Sequence, residues 1–225
     1  MKLTTLLKVA ATTTLISTAA AHAAGDLDFN ATYVLNADGK KGVATRTLSH
    51  HKNDYHYTVS AKAALIAKLN QKSNFTVIND VITPKTATMS VKFAGIGNTH
   101  DVRFIGKTVV STYKDKSASL QMNGQAYDDL SLETKIRQEL MNNKFTGSYN
   151  LVKKDSIEKT KFKKAGASKL TVPAGTYDVV RIDRIHEDKD RATSFYLAPS
   201  LNYLPIKVSQ KNDGKVIMME LTKIN

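Results

Sequence analysis

The chain has 225 residues, no cysteine and a formal charge of +13. A cysteine-free chain excludes disulfide staples, thiol catalysis and thiolate metal sites. Its length suffices for one large domain with a core of its own, and its cationic excess favours anionic partners.

The chain opens with Met1-Lys2-Leu3 and Lys8, followed by an apolar and small-residue run from Val9 to Ala21. This is the build of a secretory signal: a short positive end, a stretch too short to span a bilayer, then small residues at a cleavage point. Ala21-His22-Ala23 meets the small-x-small requirement, so cleavage is expected after Ala23. With no cysteine at the junction, the mature chain is not a diacylated lipoprotein. No later apolar run reaches about 18 residues, so no transmembrane segment is expected in it. An exported compartment such as a periplasm permits disulfides without requiring them, which suits a cysteine-free chain.

Beyond the junction the apolar residues recur with period two. Phe29, Ala31, Tyr33 and Leu35 share one face, and Asn36-Ala37-Asp38-Gly39 reads as a turn. A second strand runs from Val43 to Leu48. After Lys52-Asn53-Asp54 a third carries Tyr55, Tyr57, Val59 and Ala61 on one face. Ala61 to Leu69 fits a continuing strand or a short helix equally well. More strands are expected at 75–81, 86–93, 99–105, 108–113 and 117–122, separated by turns at Gly95, Gly97, Gly106 and Lys114-Asp115-Lys116.

The period then changes. Leu132, Ile136 and Leu140 follow one another at helical spacing, and Asp128 or Asp129 can cap the free N–H groups. Glu133 suits the positive end of the helix dipole. The helix is expected to end at Asn142-Asn143 and to lie against the sheet by its apolar stripe. Strands return at 146–152, 159–163, 177–184, 193–197, 205–210 and 216–224, with Asn212-Asp213-Gly214 the clearest hairpin turn. The pattern predicts an all-β fold: a large antiparallel, strongly curved sheet forming an open or nearly closed barrel, with one main helix packed against it. No linker or repeat interrupts it, so 24–225 is expected to be a single β-rich domain.

Motifs for chemistry are missing. No G-x-S-x-G elbow, H-E-x-x-H helix or glycine-rich phosphate loop occurs, so no catalytic residue is assigned and the protein is read as a non-enzyme. His50, His51 and His56 lie close in sequence, and a hairpin could bring His51 and His56 together. With Asp54 at the turn tip they lack a converging ligand set, and neither metal nor cofactor is expected. Ser131 and the Asp128-Asp129 pair read as capping and local backbone bonding rather than as nucleophile and acids.

Two binding features remain. A curved sheet with one covering helix leaves a cleft, and its candidate lining residues are Tyr55, Tyr57, Phe75, Phe93, Phe104, Leu132, Ile136, Leu140 and Phe195. The same residues would serve equally in a filled core. Lys159, Lys161 and Lys163 project from one face of a strand, with Phe162 pointing the other way. They form a strip that could contact anions or, on an edge strand, guard against aggregation.

From Leu170 onward the chain resembles DUF3108, a family of exported Gram-negative proteins of unknown function. The likeness opens at Val172-Pro173-Ala174-Gly175-Thr176-Tyr177 and is densest from Phe195-Tyr196-Leu197-Ala198-Pro199 through Asn202-Tyr203-Leu204-Pro205-Ile206. It extends upstream to Gln71–Phe75, Ile82-Thr83-Pro84 and Tyr127–Leu132; Phe195 stands where members often carry tryptophan. The resemblance implies export to the periplasm of a Gram-negative bacterium and brings no catalytic site. The expected function is a cell-envelope binding or accessory protein holding an apolar or amphiphilic ligand between sheet and helix. A ligand-free assembly role is the alternative. The expected partners are a lipid or amphiphile, an anionic envelope component or an envelope protein, but not nucleic acid.

Overall fold

The computed structural model describes residues 27–63 and 67–225. The expected signal segment at 1–23 lies outside the described residues, as does the link 64–66 within the ambiguous stretch from Ala61 to Leu69. Alternation of apolar and polar residues yields, in the first half, β1 (Phe29–Ala37), β2 (Lys40–His51), β3 (Asp54–Ala63), β4 (Ala67–Ile78), β5 (Val81–Phe93), β6 (Ile96–Ile105), β7 (Thr108–Tyr113) and β8 (Lys116–Gln121). The short β9 (Ala126–Tyr127) leads into helix α1 (Asp129–Met141). There follow β10 (Ser148–Val152), β11 (Ile157–Val172), β12 (Gly175–Ile185), β13 (Ala192–Ala198), β14 (Leu204–Asn212) and β15 (Lys215–Ile224).

All fifteen strands belong to one sheet, ordered β8 to β1, then β15 to β9. Neighbours are antiparallel throughout except β9 and β10, which run parallel. The first and last strands pair at the centre of the sheet, Ala31 against Ile224 and Val34 against Glu220. A sheet this wide accumulates enough twist to curl, and its free edges β8 and β9 come to the same side. They do not close by a ladder. Instead the buried Ser111 hydroxyl on β7 donates across the seam to the Lys154 carbonyl, 2.7 Å away. Val102 and Val109 pack there against Ala126 and Val152. The barrel is therefore open in its backbone ladder and bridged by side chains.

The hairpins show why the strands turn where they do. Asp38-Gly39, Asn79-Asp80, Ala94-Gly95, Lys114-Asp115 and Asp213-Gly214 all hold successive positive φ values, such as 50° and 76° in the last. This is the left-handed pair that a tight two-residue hairpin needs. Two sequence expectations are corrected here. The strand expected at 75–81 is cut at Asn79-Asp80, and Val81 begins β5. The strand expected at 159–163 is really sixteen residues long. A register shift between Lys164 and Ala167, at Gly166 with φ +120°, breaks its alternation and hides the second half from a period-two reading.

The helix does not lie against the sheet by one stripe. Ten of its thirteen residues are buried, polar ones included, because it runs inside the barrel. Asp128 is the N-cap, accepting from the N–H groups of Leu130 and Ser131, while the Ser131 hydroxyl accepts from the Asp128 backbone N–H. At the other end Arg137 donates to the Asn202 carbonyl at 3.2 Å, and Gln138 reaches Asp80 at 3.5 Å. The helix thus starts in mid-barrel and plugs one end. Glu133, expected in the first turn, sits one turn further and serves a buried ion pair.

Candidate functional site

A helix of thirteen residues is about 20 Å long. The ten and twelve residues of β3 and β4 span about 33 and 40 Å. Even allowing for the tilt of the strands, the helix is shorter than the barrel that surrounds it and leaves one end unfilled. At that end several inward positions are alanine: Ala37, Ala61, Ala63 and Ala67. Short helix and small side chains leave a cavity of about 640 Å³, open at the end where the turns Asp38-Gly39, Ala94-Gly95 and Asp213-Gly214 lie. That volume falls within the range of about 300–1,000 Å³ usual for small-molecule sites.

The first turns of α1, Leu130, Leu132, Glu133 and Ile136, form the cavity floor, with Leu151 and Phe162 beside them. The walls are apolar residues of β4, β5, β13 and β15: Leu69, Met89, Val91, Phe93, Phe195 and Met219. Tyr149, Phe162 and Phe195 follow one another at centroid separations of 5.9 and 6.4 Å, carrying rigid aromatic packing from the core to the wall.

Charge enters at two levels. Arg46, on β2, is 2% exposed and lines the cavity. Its Nη2 donates to Glu133 Oε2 at 2.5 Å and to the Tyr57 hydroxyl, and Tyr57 donates to Glu133 Oε1 at 2.6 Å. Burial opposes charge on Arg46, but Glu133, Tyr57 and Tyr33 outweigh it and hold the guanidinium protonated more firmly than usual. Burial pushes Tyr57 well above the ordinary tyrosine value and Tyr33 up to about 12, so both act as hydrogen-bonding neutrals. Arg46 Nε and Nη1 are buried with no partner among the described residues. Toward the mouth, Arg184 and Arg191 line the wall, and Lys153 interacts electrostatically with both. Among the described residues none of the three forms an ion pair, and Arg184 Nε is buried and unpartnered. Burial lowers Arg184 from the usual arginine value while Asp129, also on the wall, pulls it back up. Arginine stays charged through such shifts.

The structure separates the sequence candidates. It brings Phe93, Leu132, Ile136 and Phe195 to the cavity. Tyr57, Phe75 and Leu140 are instead spent in the packed core around the helix. Tyr55 is stacked on Phe75 at 5.5 Å and on His50 at 4.9 Å, and Phe104 packs at the seam. Lys159, Lys161 and Lys163 are exposed on the outside of β11, away from the cavity lining. β11 is an interior strand, paired with β10 at Lys159 and Lys161 and with β12 at Lys161 and Lys163, so these lysines do not guard an edge strand of the sheet. His51 and His56 do not meet; their cross-strand partners are Asp54 and Ser49. Sequence reading missed Arg46, Glu133, Arg184 and Arg191. For Arg46 a signal existed, since it occupies the inward phase between Ala44 and Leu48.

The tail motif now has a structural role. Pro199 starts a 3-10 turn (Pro199–Leu201), Asn202 and Tyr203 take positive φ values of 50° and 57°, and Asn202 receives Arg137 of the helix. The Pro205 carbonyl accepts from the buried Tyr33 hydroxyl at 2.9 Å. The motif anchors the closed end of the barrel.

Among solved structures, the chain is similar to a crystal structure described as a beta-barrel-like protein of domain of unknown function DUF1849 from Brucella abortus. The two share 12% identity at a TM-score of 0.58, over 88% of this chain and 97% of that one. This likeness establishes a shared barrel-like fold. No curated protein matches the chain. The model of the family described as Protein of unknown function (DUF3108) matches residues 28–222, and the chain belongs to that family.

Proposed function

We propose that the protein is a non-enzymatic binding protein of the cell envelope that holds an amphiphile in the cavity above α1. On this reading residues 1–23 are removed on export, and 24–225 act as one β-rich domain in the periplasm of a Gram-negative bacterium. The apolar part of the ligand sits on Leu132, Ile136, Phe162 and Phe195, and an anionic head group meets Arg184 and Arg191. The observation that supports this most is the pairing of a 640 Å³ cavity with apolar walls and mouth arginines that form no ion pair among the described residues. A site of that kind rewards a molecule with one charged end and one greasy end.

Dodecanoate, dodecanol and dodecyltrimethylammonium share one chain length and differ in head-group charge. Calorimetric titration should find binding of dodecanoate, weaker binding of dodecanol and weakest binding of the cation. Arg184→Gln with Arg191→Gln should reduce dodecanoate affinity roughly tenfold, on the order of one charge-assisted hydrogen bond, and leave dodecanol unchanged. Absence of binding by all three probes would remove the reading.

A further inference from the structure

The outer face beside the cavity mouth carries a second feature, made of different residues. Lys62 on β3 stands directly opposite Lys68 on β4, and Lys68 directly opposite Lys92 on β5. The row continues to Val43 on one side and Gly97 on the other. Directly opposed positions put Cβ atoms about 4.5–5.5 Å apart, where like charges destabilise a sheet. Among the described residues, no carboxylate on the next row of this face offsets them. The next row on the same face reads Thr45, Ser60, Asn70, Ser90 and Thr99, without a carboxylate. Among the described residues none of the three lysines takes part in an ion pair. A sheet that retains three adjacent, uncompensated lysines loses stability for no structural return.

At the same rim, on the opposite and cavity-side face, the β5–β6 hairpin presents apolar side chains to solvent. Ile96 is 81% exposed, Phe93 56% and Val91 51%. Phe93 and Ile96 are cross-strand partners on either side of the Ala94-Gly95 turn. Lys68, Lys92, Val91 and Phe93 also border the cavity, so tip, lysine row and mouth are contiguous.

We propose that this rim of the barrel docks end-on on an anionic lipid surface, with Phe93 and Ile96 at the tip entering the interface and Lys62, Lys68 and Lys92, on the outer side of the same strands, resting on the head groups. An apolar tip with a cationic collar matches the layering of a bilayer surface, acyl chains beneath anionic head groups. An acidic protein would satisfy the lysines but leave the exposed tip at the turn unexplained. The docking places the cavity mouth against the membrane. It does not depend on what the cavity holds.

The test is co-sedimentation with vesicles of phosphatidylethanolamine and phosphatidylglycerol against vesicles of phosphatidylcholine alone, every variant carrying the same N-terminus. Binding should be strong on the anionic vesicles, weak on the neutral ones, and should weaken as salt rises. At about fivefold per lysine, from the usual contribution of a basic residue near such a surface, Lys62→Gln with Lys68→Gln and Lys92→Gln should weaken binding roughly 100-fold. Ile96→Asp should weaken it on its own. The triple variant should also melt at the same or a higher temperature, because it removes like-charge repulsion; a lysine row that served stability would lower it. Equal binding to both vesicle types, or undiminished binding by the triple variant, would overturn the proposal, as would capture of an acidic protein in place of anionic vesicles. Failure here with dodecanoate still bound would leave the cavity reading intact.

Discussion

At the scale of single residues the decisive group is the Arg46–Glu133–Tyr57 cluster, because it joins strand, helix and cavity floor. Burying a charge pair is costly, and removing one partner is worse than removing both, since the survivor keeps its desolvation penalty without its counter-charge. Glu133→Gln should therefore lower stability by about 3–5 kcal/mol in urea denaturation. Arg46→Met combined with Glu133→Leu should recover most of that loss. A double variant as unstable as the single one would show that the pair is not what the barrel lacks. Part of this cluster was legible in the sequence. Arg46 falls on the inward phase of a strand whose phase is plain from Ala44 and Leu48, and an inward arginine demands a buried partner. The partner stands 87 positions away, and nothing in the local pattern points to Glu133 rather than to another carboxylate.

Among the elements, the strands were legible wherever alternation ran unbroken, as in β1, β3 and β7. They were lost where a bulge reset the phase in β11, and where Asn79-Asp80 turned the chain without glycine. The helix was legible as a helix from Leu132, Ile136 and Leu140, but its place inside the barrel was not. Its other faces carry Thr134, Arg137, Gln138 and Glu139, which read as a solvated surface until their partners are seen. Glu139, for instance, accepts from the Tyr149 hydroxyl at 2.6 Å and the Thr146 N–H at 2.9 Å.

The seam between β7 and β10 is the element-level weak point, because few side chains do there what a ladder does elsewhere. His100 hydrogen-bonds Ser111 at 2.8 Å, and Ser111 bridges to the Lys154 carbonyl. Burial lowers the His100 pKa below the usual 6.5, with Asp129 and Asp101 opposing and Lys154 and Lys153 adding to the effect. A depressed histidine pKa means that the unfolded chain binds the proton more tightly. The stability His100 contributes is thus full above about pH 6.5 and is lost as the pH falls through its folded value. His186 is shifted in the same direction, chiefly by burial. Acidification from pH 7 should accordingly lower the amide protection factors (exchange corrected for its intrinsic pH dependence) in β7 to β10, and His100→Gln should flatten that dependence while leaving the His186 share. An unchanged pH profile in the variant would contradict the role given to His100.

The whole molecule follows from one mismatch: a long-stranded barrel with a short helix inside it. Sequence alone could assign the curled sheet and the helix. It could not distinguish a filled core from a cavity, because Phe93, Phe195, Leu132 and Ile136 suit both. The distinction lies in three-dimensional placement, with alanines gathered at one end and the helix docked by Asn202 and Asp80 at the other. The same placement gathers the mouth arginines and the lysine row at the open end.

The central claim is that this cavity is occupied by an amphiphile in the cell, and native mass spectrometry of protein purified from its producing cell without detergent tests it most directly. The account predicts a discrete lipid-sized mass on the wild-type protein, extractable into organic solvent and recovered as an anion. It should be missing from Ala61→Phe, whose ring would occupy the cavity in a chain that still folds. A wild-type protein that carries no such mass, and acquires none on incubation with envelope lipids, would contradict the claim.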